Sequence, residues 1–236
     1  MGKFRTTVTT RRCPTGKWFA SFIVECIPPP VPLRDGPVAG IDIGLESFAT
    51  LSNGERIENP RFFREEGKDL AKAQRRLSKL RERKGSPEWH KSLKVIRRIH
   101  ERITNKRTDF IHQTSRRIIN RFGIIAFEDL DVKGMVHNHR LAKSIQDASW
   151  SMFVRATASK AECAGSKVVL VNPKYTTQIC SRCGLLVPKT LSERVHRCGC
   201  GLSIDRDLNA SINILRLGLQ SLGIQSVEAH SLWAWE

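Results

Sequence analysis

The spacing of apolar residues changes along the chain, and each change predicts a different element. Residues 4–10 and 17–25 alternate and are rich in β-branched and aromatic side chains, with Cys13-Pro14-Thr15-Gly16 between them, which predicts a β-hairpin. Two strands alone are marginal in water, so the hairpin must lean on the main body or be the remainder of a larger barrel. Residues 27–32, IPPPVP, read as a stiff extended connector. Short apolar runs at 38–43, 48–51, 124–127 and 167–171 have the pattern of buried strands. Helical stretches, including 141–165, separate the last three of them. The economical architecture is an α/β sheet covered by helices. Residues 218–236, with Trp233 and Trp235, have no clear period and read as a weakly ordered or surface-packed tail.

Between the second and third apolar runs lies a different pattern. Leu70, Ala73, Leu77 and Leu80 follow a 3-4 spacing, and Leu93, Ile96, Ile103 and Phe110 continue a similar stripe after a break at Gly85-Ser86-Pro87. Glycine suits the end of the first helix, serine can cap the second, and proline is tolerated at its first position. A helical hairpin is predicted over 61–122.

Charge changes the reading of that hairpin. The 236 residues carry 40 Lys and Arg against 23 Asp and Glu, a net +17, with an isoelectric point near 10.1. Residues 61–122 alone hold 20 Lys and Arg against 7 Asp and Glu, or +13. Solvated helical faces are the ordinary meaning of charged residues, but this imbalance exceeds what i,i+4 pairing explains, and phosphate contact is the sharper expectation. A 40% apolar fraction and a mean hydropathy of −0.33 exclude fibrous and wholly disordered classes. No run reaches the roughly 18 apolar residues of a membrane span, and the first residues, MGKFRTTVTTRR, lack the apolar block of a secretory signal. No membrane partner is expected, and the compartment is expected to be reducing.

Three acidic positions stand out. Asp42 lies inside an apolar strand, Gly40-Ile41-Asp42-Ile43-Gly44, where a carboxylate needs a metal, a basic partner or an open strand end. Glu128 directly follows Ile124-Ile125-Ala126-Phe127, with Asp129 and Asp131 close behind, and strand ends are where α/β sheets place ligands. Asp207 lies in Asp205-Arg206-Asp207-Leu208-Asn209-Ala210, opening a helix whose apolar face is Leu208, Ile212 and Leu215. Acids on two strands and a helix could meet over one sheet edge and hold two divalent cations about 4 Å apart, as in phosphodiester cleavage. Magnesium or manganese suits such ligands. Taken singly, an acid near a helix start is more often a cap, and acids at strand ends are often just solvated.

The cysteines carry the strongest local signal. Cys180-x-x-Cys183 and Cys198-x-Cys200 stand fourteen residues apart, each pair followed by a glycine, Gly184 and Gly201. Four thiolates at this spacing can enclose one structural zinc ion, in preference to free thiols or disulfides in a reducing compartment. Arg182, Lys189, Arg194, His196 and Arg197 are expected to decorate the intervening loop. Cys13, Cys26 and Cys163 read as small buried hydrophobes, and His137 and His139 as part of a solvated turn.

In this order, four stretches resemble the RuvC-like nuclease of the transposon-encoded TnpB (OrfB) family, relatives of the type V CRISPR effectors. They are Gly40-Ile41-Asp42-Ile43-Gly44-Leu45 with residues 48–54, Ile125-Ala126-Phe127-Glu128-Asp129-Leu130, residues 175–184 (YTTQICSRCG), and residues 205–214 (DRDLNASINI). The resemblance implies an RNase H-like mixed sheet with covering helices, a basic helical hairpin insertion and an inserted zinc knuckle. It implies a nuclease domain over 38–60 and 123–217, the hairpin at 61–122, the knuckle at 176–203 and a tail at 218–236. Residues 1–37 would be the last hairpin of a wedge-like barrel plus the connector, making this an N-terminally short form. Asp42, Glu128 and Asp207 would be the catalytic, metal-binding triad, with Asp205 as the alternative third acid. The implied function is a DNA endonuclease directed by an RNA from its own element, with target DNA as second partner, in the prokaryotic cytoplasm at the nucleoid. The alternative is a zinc-containing RNA- or DNA-binding protein that does not cut. Arg75, Arg76, Lys79, Arg83, Lys94, Arg97 and Arg98 of the hairpin are expected to contact the heteroduplex or the guide scaffold. Oligomeric state is not legible in the sequence.

Overall fold

The computed structural model describes residues 3–25, 35–139, 141–190 and 192–224. The expected connector at 27–32 and the tryptophans of the tail lie outside them. The chain divides into two units, one of residues 1–30 and 61–110 and the other of residues 31–60 and 111–236.

In the first unit, strands β1 (Lys3–Arg12) and β2 (Trp18–Glu25) form the expected antiparallel hairpin, in register from Lys3 against Glu25 to Arg12 against Trp18. Its turn is closed by Cys13 N–H to the Lys17 carbonyl at 2.7 Å and Gly16 N–H to the Cys13 carbonyl at 2.8 Å.

The sheet of the second unit begins with β3 (Val38–Ile43), β4 (Ser47–Leu51) and a short β5 (Arg56–Glu58). The chain then re-enters the first unit as helices α1 (Phe62–Glu65) and α2 (Gly67–Lys79), a 3-10 turn at Arg81–Arg83, and the long α3 (Pro87–Arg121), whose last turns belong to the second unit. The break falls as expected. Gly85 takes φ 93°, the Ser86 hydroxyl accepts from Trp89 N–H at 3.2 Å, and Pro87 opens the helix. The apolar stripe buries Leu70, Ile99 and Ile103 with Phe62, Phe63, Ala73 and Ile96. Leu77, Leu80 and Leu93 are only half-buried, and Ile99, which the stripe skipped, takes a central place. Glu66 is buried between Arg102 at 2.9 Å and Lys106 at 3.1 Å. The Thr15 hydroxyl and the Lys17 ammonium reach Glu101 at 2.9 and 3.1 Å, so the hairpin tip leans on α3.

The second unit continues with β6 (Ile124–Glu128), α4 (Val132–Met135), α5 (Ala142–Ala148), α6 (Trp150–Ala164), β7 (Lys167–Val171), a small hairpin of β8 (Val195–Arg197) and β9 (Ser203–Asp205), and α7 (Arg206–Ser221). The main sheet has the order β5-β4-β3-β6-β7. Pairs β5/β4 and β4/β3 are antiparallel, while β3/β6 and β6/β7 are parallel, which makes it mixed. Phe153 of α6 packs edge-on against Phe48 and Phe127 at centroid distances of 4.9 and 5.6 Å. Helix α7 packs across β3, β6, β4 and β7. It continues through the expected boundary at 217, with Gly218 and Leu219 buried, so the start of the expected surface tail is core. Apolar periodicity in α7 is carried by Ile214, Leu215, Gly218 and Leu219, and a glycine among them masked the continuation.

Two scattered cysteines are not the buried hydrophobes expected. Cys163 is exposed on α6, off the face that buries Phe153, Thr157 and Ala161, and Cys13 is half-exposed in the hairpin turn. Cys26 lies outside the described residues. His137 and His139 are exposed in a turn, as expected.

Candidate functional site

The parallel register that pairs Ile41 with Phe127 carries Asp42 and Glu128 to the same edge of the sheet, at the C-terminal ends of adjacent strands. Side chains two apart share a face. Gly40 and Asp42 thus share one with Ala126 and Glu128, and that face carries α7. A Cβ on Gly40 would stand 2.5 Å from Leu215 N, and one on Gly218 2.6 Å from the Ala126 Cβ. Helix α7 therefore runs back along β3, which brings its first turn, with Asp207, to the acidic edge. The electrostatics record the meeting. The Asp42 carboxyl is pushed well above the usual carboxylate range by burial first, then by the charges of Glu128 and Asp207, against a smaller opposing effect of Arg206. Glu128, 8% exposed, is raised by burial and held back by a hydrogen bond from the Thr176 hydroxyl to Oε1.

Asp207 Oδ1 accepts from Arg206 Nε at 3.1 Å and Nη2 at 3.0 Å. Asp205, the alternative third acid, has other work. Its Oδ1 caps α7 by accepting from Asp207 N–H and Leu208 N–H, both at 3.0 Å, and its Oδ2 meets Arg56 at 2.7 Å. Asp131 is likewise a cap, accepting from Gly134 N–H at 3.0 Å. The Arg206 guanidinium pairs with Asp207 and its charge acts on Asp42; the hard oxygens of Asp42, Glu128 and Asp207 are a donor set that fits magnesium or manganese. They are less tightly gathered than the thiols: among the described residues, the four cysteines form the group whose ligand atoms all lie within 4.8 Å.

Cys180 and Cys200 Sγ are 3.7 Å apart, and Cys183 and Cys198 Sγ 3.5 Å. Four sulfurs about 2.3 Å from a tetrahedral zinc would be separated by about 3.8 Å, so the cluster has the dimensions of a closed structural site. Burial would raise the Cys180 thiol, but backbone N–H groups of Cys183 and Arg182 and the His196 side chain outweigh it and bring it to about 6. Gly184 and Gly201 take φ 78° and 85° in the turns behind the two pairs, which favours glycine at both. His196 corrects the expectation of a decorated loop: it is fully buried, beside Lys189, because β8 turns it inward under the cluster. Arg194 does face outward, pairing with Glu46 at 2.9 Å.

Sequence reasoning missed the residues that join the two centres. Asn209 donates to the Ile179 carbonyl at 2.8 Å and accepts from Ser181 N–H at 2.9 Å. Asn213 donates to the carbonyls of Thr176 at 2.8 Å and Ile179 at 2.6 Å. The signal was present: two asparagines four apart on a helix face that is otherwise apolar. They fasten the turn leading into Cys180 to the helix that carries Asp207.

In the first unit, α2 and α3 flank a groove of about 620 Å³ with Ala73, Val95 and Ile99 in its floor and Lys72, Arg75, Arg76, Lys79, Lys91 and Arg102 around it, against one acid, Asp69. Of the expected nucleic-acid contacts, Arg75, Arg76 and Lys79 line it. Arg83, Lys94 and Arg98 do not, and Arg97 points to the Pro14 carbonyl at 3.3 Å. Lys72, Lys91 and Arg102 line the groove as well.

These features define a mixed α/β protein with an acidic sheet edge and a four-cysteine knuckle packed on its last helix. Residues 21–139 match the OrfB_IS605 family, described as probable transposase, and residues 150–214 match the Cas12f1-like TNB domain. The chain belongs to this OrfB (TnpB) family. It is 38% identical over 216 residues to a Streptomyces pristinaespiralis protein named "Putative RNA-guided DNA endonuclease", covering 91% of this chain and 53% of that one. It is 33% identical over 235 residues to the Escherichia coli K12 protein "Putative RNA-guided DNA endonuclease InsQ", covering 92% and 57%. The chain thus spans little more than half the length of these relatives. A cryo-EM structure of Cas12f1 with sgRNA and target DNA superposes with a TM-score of 0.54 at 18% identity, over 88% of this chain and 55% of that one. At that identity the likeness is one of fold. Among the described residues no helix is long and apolar enough to cross a membrane.

Proposed function

We propose that this protein is a divalent-metal-dependent DNA endonuclease directed by an RNA of its own element. One observation carries the reading: Asp42 is desolvated beside Glu128 and Asp207, and Arg206 only partly offsets their repulsion. Folding a like-charge cluster into a sheet edge costs free energy that bound cations recover. Asp42 and Glu128 would hold the ions from adjacent strand ends, and Asp207 from the first turn of α7, steadied by Arg206. When bound, paired magnesium or manganese ions activate water and neutralise the leaving oxygen of a phosphodiester. The four cysteines would hold one zinc ion that keeps residues 176–203 folded against α7. The groove between α2 and α3 would follow a nucleic-acid backbone, leaving sequence choice to base pairing. Such a protein would work in the prokaryotic cytoplasm, on the nucleoid.

The test is cleavage of DNA by the purified chain with its element's RNA, with and without Mg²⁺. Cutting that requires the metal and disappears in Asp42→Ala and in Glu128→Ala, while RNA binding persists, is the expected result. Cutting at the wild-type rate in both variants would refute the assignment. The second reading, a zinc-containing nucleic-acid binder that does not cut, is favoured by the basic groove alone. It is the outcome if binding is tight and salt-sensitive and no metal-dependent nicking occurs.

A further inference from the structure

Glu128 has three rotatable side-chain bonds and stands at the last position of its strand, so its carboxylate needs something to aim it. The Thr176 hydroxyl does so by donating to Oε1. Thr176 is 2% exposed, and its oxygen also lies 3.2 Å from the Pro173 carbonyl. A hydroxyl has one proton, and with two acceptors in reach the charged one takes it. The second carboxylate oxygen is then left to serve as ligand.

What holds Thr176 is equally specific. Tyr175 before it adopts φ 67°, unusual for a residue with a side chain, and the Tyr175 carbonyl accepts from Gln178 N–H and Ile179 N–H, both at 2.9 Å. This tight turn presents the Thr176 side chain to β6. The Thr176 carbonyl is tied to α7 by Asn213, which is itself buried and oriented by Arg216 on its Oδ1 at 2.8 Å. Helix α7 thus places Asp207 directly, from its first turn, and Glu128 indirectly, through Asn213 and Thr176.

We propose that Thr176 is the positioning residue that presents Glu128 to a divalent cation, and that Asn213 sets Thr176 in place. The proposal rests on the metal-site reading above. Partners of this kind around a metal ligand change affinity by about 10- to 100-fold when removed.

The experiment is Mn²⁺ titration of the full, zinc-loaded chain followed by electron paramagnetic resonance, with thermal melting alongside. Thr176→Val keeps the shape and deletes the hydroxyl, and should weaken Mn²⁺ binding about 10-fold, while Thr176→Ser should restore it. Their melting temperatures should lie close to wild type, since a purely structural hydroxyl would move stability and not metal affinity. Equal Mn²⁺ affinity in wild type and Thr176→Val overturns the proposal. If Thr176→Val does not melt cooperatively, Thr176→Ala against Thr176→Ser decides: weak binding by alanine alone supports it, and equal binding overturns it. Absence of Mn²⁺ binding by wild type would overturn the metal-site reading itself, a result distinct from equal binding by the variants.

Discussion

Gly40 of β3 lies directly beneath Ser211 of α7, so close that a Cβ on the glycine would overlap the Ser211 carbonyl oxygen and press on the backbone nitrogen of Leu215. A helix backbone cannot yield as a flexible side chain can. This contact sets the depth of α7 on the sheet, and with it the position of Asp207 relative to Asp42.

Gly40→Ala should therefore be costly in two ways. Overpacking of this kind destabilises by about 1–3 kcal/mol, and lifting α7 should also weaken divalent binding beyond what lost stability explains. Thermal melting and Mn²⁺ titration of the folded fraction check this. A variant with wild-type melting and affinity would show that the helix sits more loosely than described.

The acid edge makes stability depend on pH. Because the folded-state pKa of Asp42 is raised, the metal-free folded protein keeps a proton that the unfolded chain releases. Stability should fall as pH rises from the ordinary carboxylate range, about 4, through the elevated value. Mg²⁺ should reverse the fall, since it binds the folded state. Asp42→Asn should melt above wild type at neutral pH without metal, and the gap should close on acidification and on adding Mg²⁺. A pH-independent gap would count against the assigned coupling.

The two neighbouring aspartates should separate cleanly. Loss of the α7 cap in Asp205→Ala should cost about 1 kcal/mol of stability and leave divalent binding largely intact. Asp207→Asn should do the reverse, removing binding with little change in melting. Exchanged phenotypes, read by calorimetry and Mn²⁺ titration, would reassign the third acid.

Removing zinc should propagate to the acid edge. The turn at Thr176 and Ile179 is held by Asn209 and Asn213 only while the segment into Cys180 stays folded. Cys180→Ser should lower zinc content to less than one ion per chain and increase hydrogen exchange at 176–181 and in the first turns of α7. Full zinc content by elemental analysis would contradict the four-cysteine assignment.

In the basic groove, Arg75→Ala with Arg76→Ala should weaken nucleic-acid binding uniformly across sequences. The slope of log affinity against log salt should fall by about 1 to 2. Arg97→Ala, whose guanidinium is turned to Pro14, should leave that slope unchanged. Fluorescence anisotropy over a salt series measures both, and equal slopes for all three proteins would dissociate the groove from binding.

Features that depend on near neighbours in the chain are legible in the amino-acid sequence alone. The break at Gly85-Ser86-Pro87 can be read there because capping and φ preference are local, and Cys180-x-x-Cys183 because ligand spacing within a knuckle is short. The runs that form β3, β4 and β6 stand out because strands covered on both faces must be apolar throughout, whereas β7 is apolar although it lies at the sheet edge with Leu170 exposed. Only folding over long separations could assign the rest. Asp205 and Asp207 look alike in sequence, and the choice between them comes from a helix cap and from Arg56, 149 positions upstream of Asp205. His196 has the look of a surface residue until β8 turns it inward. Thr176 carries no signal for its role, and Asn209 and Asn213 show only as a polar pair on an apolar helix face, because a hydrogen bond from one strand end to another segment's turn depends on how the sheet and α7 stack. That stacking depends in turn on the missing side chains of Gly40 and Gly218.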